Sequence, residues 1–193
     1  RRISAIYLDQ PISRQLALAR ALLPDARRLG LLAGPDLQRE AGEIRRQAHA
    51  AGFLADIQPA DDEREAIQGI QRLVTRNDLL LAAYDSQVLT PSTAKWLLNL
   101  AYKQGLPVLG FSRSYLDAGA VAAVYSTPEQ IGRQTAEAIL DVVGSGSGRL
   151  PPSAYPRYFD VGVNRAVART LGLAPPDDVE LSRRVERLER DTP

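Results

Sequence analysis

The 193 residues carry 24 lysines and arginines against 23 aspartates and glutamates, so a net charge of +1 supplies no global field toward nucleic acid or an acidic membrane. With 45% hydrophobic residues the chain can bury a core, which excludes a disordered polymer. Cysteine is absent, which removes disulfides, thiolate nucleophiles and sulfur metal sites together, and fits either the cytosol or the bacterial periplasm.

No stretch approaches the ~18 apolar residues of a membrane helix, so no span is expected. The sequence opens Arg1-Arg2-Ile3 without an initiating Met, as expected of a mature or cut-down piece from which a signal peptide would already be missing. Lys95 and Lys103 are the only lysines, a bias toward arginine that reads as codon usage rather than function.

Short β-branched or apolar runs alternate with longer segments of helical periodicity, the pattern of βα units around a parallel sheet. Residues 3–8 read as a strand. Residues 11–23 read as a helix with Ile12, Leu16, Ala19 and Leu23 on one face, stopped by Pro24. Residues 29–33 form a buried strand, and Gly34-Pro35-Asp36 turns into a helix repeating Leu37, Ala41, Ile44 and Ala48 that ends near Gly52. A strand follows at 53–58. Asp62 and Glu65 have capping-box spacing before a helix that turns Ile67, Ile70 and Val74 inward, and the apolar run 79–83 is the candidate central strand.

Thr90-Pro91 opens a helix carrying Leu97, Leu98, Ala101 and Tyr102 that finishes at Gly105, and a strand is expected at 107–111. A polar stretch separates it from a strand at 120–125. Thr127-Pro128-Glu129-Gln130 then starts a helix with Ile131, Thr135, Ala138, Ile139 and Val142 on its face. The Gly-Ser run at 144–148, followed by Pro151-Pro152, is the one break in composition, and the domain boundary is expected there. Beyond it come a strand at 158–163, a short helix at 164–171, and a charged helix at 177–190 with Leu181, Val185 and Leu188 spaced for packing. The fold class is therefore α/β, a doubly wound parallel sheet.

In an open parallel sheet, ligands lie outside the carboxyl ends of the strands. Those ends carry Asp9-Gln10, Gly34-Pro35-Asp36, Tyr84-Asp85-Ser86, Phe111-Ser112-Arg113-Ser114 and Tyr125-Ser126-Thr127. Carboxylates, hydroxyls and aromatics with one arginine suit a polar or zwitterionic ligand with an apolar part. Asp36, Thr90 and Thr127 read as N-caps, whereas Asp85 follows an apolar strand well before the next cap and reads as a site residue. Arg113 can meet a ligand carboxylate or pair with Asp117 four positions on.

Catalytic alternatives are poorly supplied. His49, the only histidine, lies in a polar helix among Arg45, Arg46 and Gln47 and reads as solvated, so neither a zinc site nor a His-based triad has enough groups. The G-x-S-x-G, G-x-x-x-x-G-K-[ST] and strand-following G-x-G-x-x-G patterns are missing. Asp9 and Asp85 at strand ends invite comparison with a phosphate-accepting receiver domain, but the strand from Pro107 to Phe111 offers no lysine to meet a phosphoryl group. No cofactor and no metal is expected.

The order of segments resembles an uncharacterised branch of ABC-transporter substrate-binding proteins related to tryptophan- and phenylalanine-binding members. The residues carrying the resemblance are Leu22-Leu23-Pro24 before Arg28-Leu29-Gly30-Leu31-Leu32, the Gly34-Pro35-Asp36 turn, Ala50-Ala51-Gly52-Phe53, and the run from Leu80 to Asp85. They continue through Leu106-Pro107-Val108 with Ser112, Gly119-Ala120, the segment 125–132, and Val163-Asn164 with Ala168 and Leu171-Gly172-Leu173.

The resemblance implies a type I periplasmic-binding fold, with residues 1–143 as the second, ligand-binding lobe and its crossover helix. Residues 144–193 would be a linker and a segment returning toward a first lobe that is mostly missing. By position it implies ligand contacts at Asp36, Tyr84, Asp85, Ser112 and Tyr125, to which the reading of the strand ends adds Arg113 as a candidate. It implies a non-enzymatic, exported periplasmic protein that hands a small molecule to a membrane permease. Presentation of the ligand-bound state to a membrane sensor is a second possibility, and a small α/β enzyme using Asp85 or Asp9 is a third. Where such proteins often have Asn or Ser after the second strand, this chain has Pro35-Asp36-Leu37, so the amino-acid ligand of those members does not carry over to it by position.

Overall fold

A computed structural model describes residues 3–85, 87–145 and 149–191. Its elements are α1 (Ile12–Leu22), β1 (Arg28–Ala33), α2 (Pro35–Ala50), β2 (Leu54–Pro59), α3 (Glu63–Leu73), β3 (Leu79–Leu81) and α4 (Pro91–Lys103). They continue with β4 (Val108–Gly110), α5 (Arg113–Ala118), β5 (Ala122–Tyr125), α6 (Pro128–Gly144), β6 (Asp160–Val163), α7 (Arg165–Thr170) and α8 (Asp178–Asp191). The strands form one six-stranded sheet in the order β2-β1-β3-β4-β5-β6. It is parallel except for β6, which runs antiparallel to β5.

The side-chain period of two sends alternate strand residues to opposite faces. Leu29, Leu31, Leu79 and Leu81 pack under α1, α2 and α8, while Leu32, Leu80 and Val108 pack under α3 and α4. Burial on both faces is why the strands read as continuous apolar runs rather than alternating ones. The helix starts carry their expected chemistry: Asp62 accepts from the Glu65 N–H, Thr90 from that of Thr93, and Thr127 with Gln130 completes a capping box. Asp36 is not a cap, since Gly34 holds that position and Asp36 lies in the first turn, where its charge favours the positive end of the helix dipole.

Four expectations need correction. Residues 3–8 do not join the sheet; they make a single parallel bridge from Ile6 to Ala154, with Ile3 and Leu8 exposed. The polar stretch after β4 contains α5, which hides Tyr115 and Leu116 and is capped by Ser112. Charged residues at its exposed positions mask its two inward residues in the sequence. The segment expected to lead away toward another lobe instead completes this body, since β6 extends the sheet and α8 packs on α1 and β6 through the fully buried Leu181 and Val185. Lastly, the apolar face of α6 is largely uncovered, with Ile139, Leu140 and Val143 exposed and only Gln134 buried along the helix. Of the Gly-Ser run, 146–148 lie outside the described residues. Among the described residues no helix is long and apolar enough to cross a membrane.

Asp78 clips the start of β1 to that of β3. Its carboxylate accepts the backbone N–H groups of Arg27 and Arg28, each at 2.8 Å, and its own N–H returns to the Arg28 carbonyl. The hydrogen bond from Arg28, then that from Arg27, holds this carboxyl below its ordinary value. A depressed folded value gives stability that is complete above the unfolded pKa of about 4 and is lost as pH falls through the folded one. Asp78→Asn is therefore expected to cost about 1 kcal/mol at neutral pH and progressively less in acid, which urea unfolding across that range checks. Leu181→Ala is expected to cost about 3 kcal/mol in the same measurement, because it empties a site between α8 and the sheet.

Candidate functional site

The order β2-β1-β3 means that the chain leaves β1 toward one side of the sheet and returns to β3 on the other. The loops after β1 and β3 diverge at that point and leave a crevice, the usual ligand position of open α/β sheets. A cavity of about 260 Å³ lies there, with walls from Asp36 and Leu37 after β1, Ala83, Tyr84 and Asp85 after β3, and Phe111 after β4. Asp9, Gln10, Ile12 and Gln15 close it from the chain before and within α1, and Glu40 and Tyr155 complete it.

Asp85 forms the floor. It is 2% exposed, and one carboxylate oxygen, Oδ1, accepts the Gln87 N–H at 3.1 Å while Oδ2 is buried without a partner. Glycine at position 34 makes this possible, since a Cβ there would lie 2.3 Å from Oδ1 and 2.4 Å from Oδ2 of Asp85. Gln15 is equally buried; its amide donates to the Gln10 carbonyl at 3.2 Å, and its Oε1 has no partner. Tyr84 is half exposed and meets Phe111 edge to face at 5.8 Å, and Phe111 in turn packs on Tyr115. Burial pushes the Asp9 carboxyl above its ordinary value. Burial first, then the charges of Glu40 and Asp9, push the Tyr155 hydroxyl upward.

Asp36, Tyr84 and Asp85 are thus brought together, whereas Ser112, Arg113 and Tyr125 do not line the cavity. Ser112 caps α5, and Arg113 bonds Asp117 and the Tyr125 hydroxyl, each at 3.3 Å, so the pairing alternative for Arg113 is the one realised. Asp36 pairs with Arg39 at 3.1 Å on the exposed rim. Sequence reasoning missed Gln15, Glu40 and Tyr155 as wall residues. Gln15 and Glu40 lie on helix positions where the pattern gives no hint of a site, and Tyr155 comes from a segment with no regular structure around it. His49 is exposed on α2. Ser86 lies outside the described residues.

Behind the cavity, separate stretches of chain are clasped by buried polar groups. The Gln10 side chain donates to the Ser126 hydroxyl at 2.8 Å, which donates to the Tyr158 carbonyl at 2.7 Å. Arg14 donates to Gln10 Oε1 and the Pro156 carbonyl, both at 2.7 Å, and to Glu189 at 2.8 Å. The segment before α1, for which the sequence offered no definite role, therefore serves both the cavity wall and this crossing.

The tight contact between Gly34 and Asp85 has a measurable consequence. Gly34→Ala is expected to destabilise the protein by roughly 1–3 kcal/mol through overpacking against the carboxylate, read by urea unfolding. A variant as stable as the wild type would show that the Asp85 side chain swings aside freely.

Comparison with known proteins places this geometry in a family. The family model described as ABC transporter substrate binding protein matches residues 5–184. No curated protein matches the chain. Among solved structures, a ligand-free, open substrate binding protein with adhesive properties from Clostridium difficile aligns with TM-score 0.72 at 21% identity, over 90% of this chain and 63% of that one. A conserved domain protein from Vibrio cholerae aligns with TM-score 0.70 at 21% identity, over 90% and 58%. An ABC domain in complex with L-Trp from Streptococcus pneumonia aligns with TM-score 0.68 at 18% identity, over 88% and 58%. These likenesses show a shared fold, and the chain spans about three fifths of the length of these relatives. With the family match running over nearly the whole chain, the protein belongs to the ABC transporter substrate-binding family.

Proposed function

We propose that this chain is the ligand-holding lobe of a periplasmic solute-binding protein, which captures a small molecule at the strand-end cavity and delivers it to the permease of an ABC transporter. The observation that carries the reading is the cavity at the switch point of the sheet, floored by a buried carboxylate with an unpaired oxygen and backed by the clasp of Gln10, Ser126 and the Tyr158 carbonyl. Asp36, Tyr84 and Asp85 are the proposed inner contacts. Ser112, Arg113 and Tyr125 stand at neighbouring strand ends and are proposed as the outer rim on which a second lobe closes.

The relatives' additional length is the proposed source of that lobe. Its seat is the uncovered face of α6, beside which a hollow of about 600 Å³ opens between α6, Ser4-Ala5-Ile6 and the chain from Pro151 to Arg157. Membership of a substrate-binding family, not an enzyme class, supports the non-catalytic reading. The reading is tested by thermal unfolding of the full-length protein against amino acids, amines, carboxylic acids, sugars and nucleosides. Binding to the folded state alone is expected to raise the melting temperature saturably, by about 2.7 kcal/mol of added stability at a hundredfold excess over Kd. A flat response to every class would overturn it.

A further inference from the structure

We infer that the ligand is an organic ammonium cation, seated with its N–H groups on Asp85 and Gln15 and its apolar part against Phe111, Tyr84 and Leu37. This rests on the solute-binding reading and names the substrate class of that same cavity. The first observation is chemical. Asp85 Oδ2 and Gln15 Oε1 are both buried and both unpartnered, and both residues line the cavity. Each atom is an acceptor, so what they lack is a donor, and a buried acceptor left unpaired is costly unless a ligand completes it.

The second observation is the sign of the surroundings. Asp9, Asp36 and Glu40 join Asp85 around the cavity, and among the described residues no arginine or lysine lines it. Asp36 has Arg39 as its exposed partner, on the outer side of the rim. Arg113, the arginine just after β4, is held by Asp117 and Tyr125. A ligand carboxylate or phosphate would meet like charge on this side of the cleft, whereas a cation gains from the carboxylates around it. The Tyr155 hydroxyl, raised first by burial, is pushed further in the same direction by the charges of Glu40 and Asp9.

The third is the kind of cation. Among the described residues no three acidic or histidine groups converge as a metal-ion set, so the carboxylates are spread around the cavity rather than gathered on one point. The aromatic side chains of Tyr84, Phe111 and Tyr155 in the wall favour an organic cation, which gains from apolar contact and, over a ring face, from the quadrupole. A quaternary ammonium has the charge but no N–H to give to Oδ2 or Oε1, so a protonated amine fits better.

The experiment compares charge-matched probes on the full-length protein by thermal shift and calorimetry. The amines are tryptamine, phenethylamine, putrescine and agmatine; the amino acids are tryptophan, phenylalanine, ornithine and arginine; the acids are indole-3-propionate and 3-phenylpropionate. At least one amine is expected to bind, with its amino-acid and acid counterparts at least tenfold weaker. Asp85→Asn is expected to weaken that amine about thirtyfold or more. Gln15→Met, which removes the second acceptor and keeps the charge, is expected to weaken it about tenfold and serves if the first variant does not fold. Amino acids or acids binding as tightly as the amines would overturn the assignment while leaving solute binding intact, as would wild-type amine affinity in both variants. A protein stabilised by none of these probes overturns the ammonium assignment, and the solute-binding reading falls with it only when sugars and nucleosides also leave the melting temperature unchanged.

Discussion

Arg14 is the group around which the rest of the structure is assembled. It is 8% exposed on α1, and its guanidinium donates to Gln10, to the Pro156 carbonyl and to Glu189 of α8, while lying 4.1 Å over the Phe159 ring. A guanidinium can do this because its donors form a planar fork that stays charged at any ordinary pH, and its flat face stacks on an aromatic ring. Through one side chain, the segment entering α1, the segment entering β6 and the last helix are fixed relative to one another. Removal of a buried charge held this way is costly, since it would strand several partners at once.

That crossing also determines which groups reach the cavity. Gln10 is oriented by Arg14 at one end and Ser126 at the other, so its carbonyl is presented to Gln15, and the Gln15 acceptor is left over for the cavity. Across the cavity, the close fit of Asp85 on Gly34 fixes the carboxylate from the strand side. The site therefore has its two unpaired acceptors set by separate devices, one a polar network outside the sheet and one a backbone contact inside it. Preorganisation of this kind lets a ligand gain from contacts without the cost of ordering the groups that make them.

The fold was legible where burial is symmetric. Leu29 to Ala33 and Leu79 to Leu81 are apolar at every position because both faces of the sheet are covered, and the helices between them carry apolar faces, with Asp62 as the cap of α3. Legibility failed where burial is one-sided or shared. Residues 3–8 have strand-like residues without a sheet beside them, and α5 is too short for periodicity to show. Asp36, Tyr84 and Asp85 could be read because strand ends are predictable positions. Gln15 could not, since an amide on the polar side of an amphipathic helix looks like any solvated residue until its neighbours are known.

The contrast between α6 and α8 explains how one chain end can be firmly held and another part can remain available. Both helices have apolar stripes, but those of α8 disappear into the sheet body, with Leu181 and Val185 fully buried, whereas Ile139, Leu140 and Val143 of α6 face outward. The attachments between α6 and the body run largely through polar groups: Gln134 donates to the Tyr155 carbonyl and accepts from Arg157, and Glu137 meets Tyr158 and Arg157. Hydrogen bonds to carbonyls and ion pairs at an exposed surface re-form with water at small net cost, while a buried leucine cannot leave its site without losing about 3 kcal/mol. The apolar residues of α6 are therefore left available, while the sheet body that carries Asp85 and Gly34 is held by buried contacts.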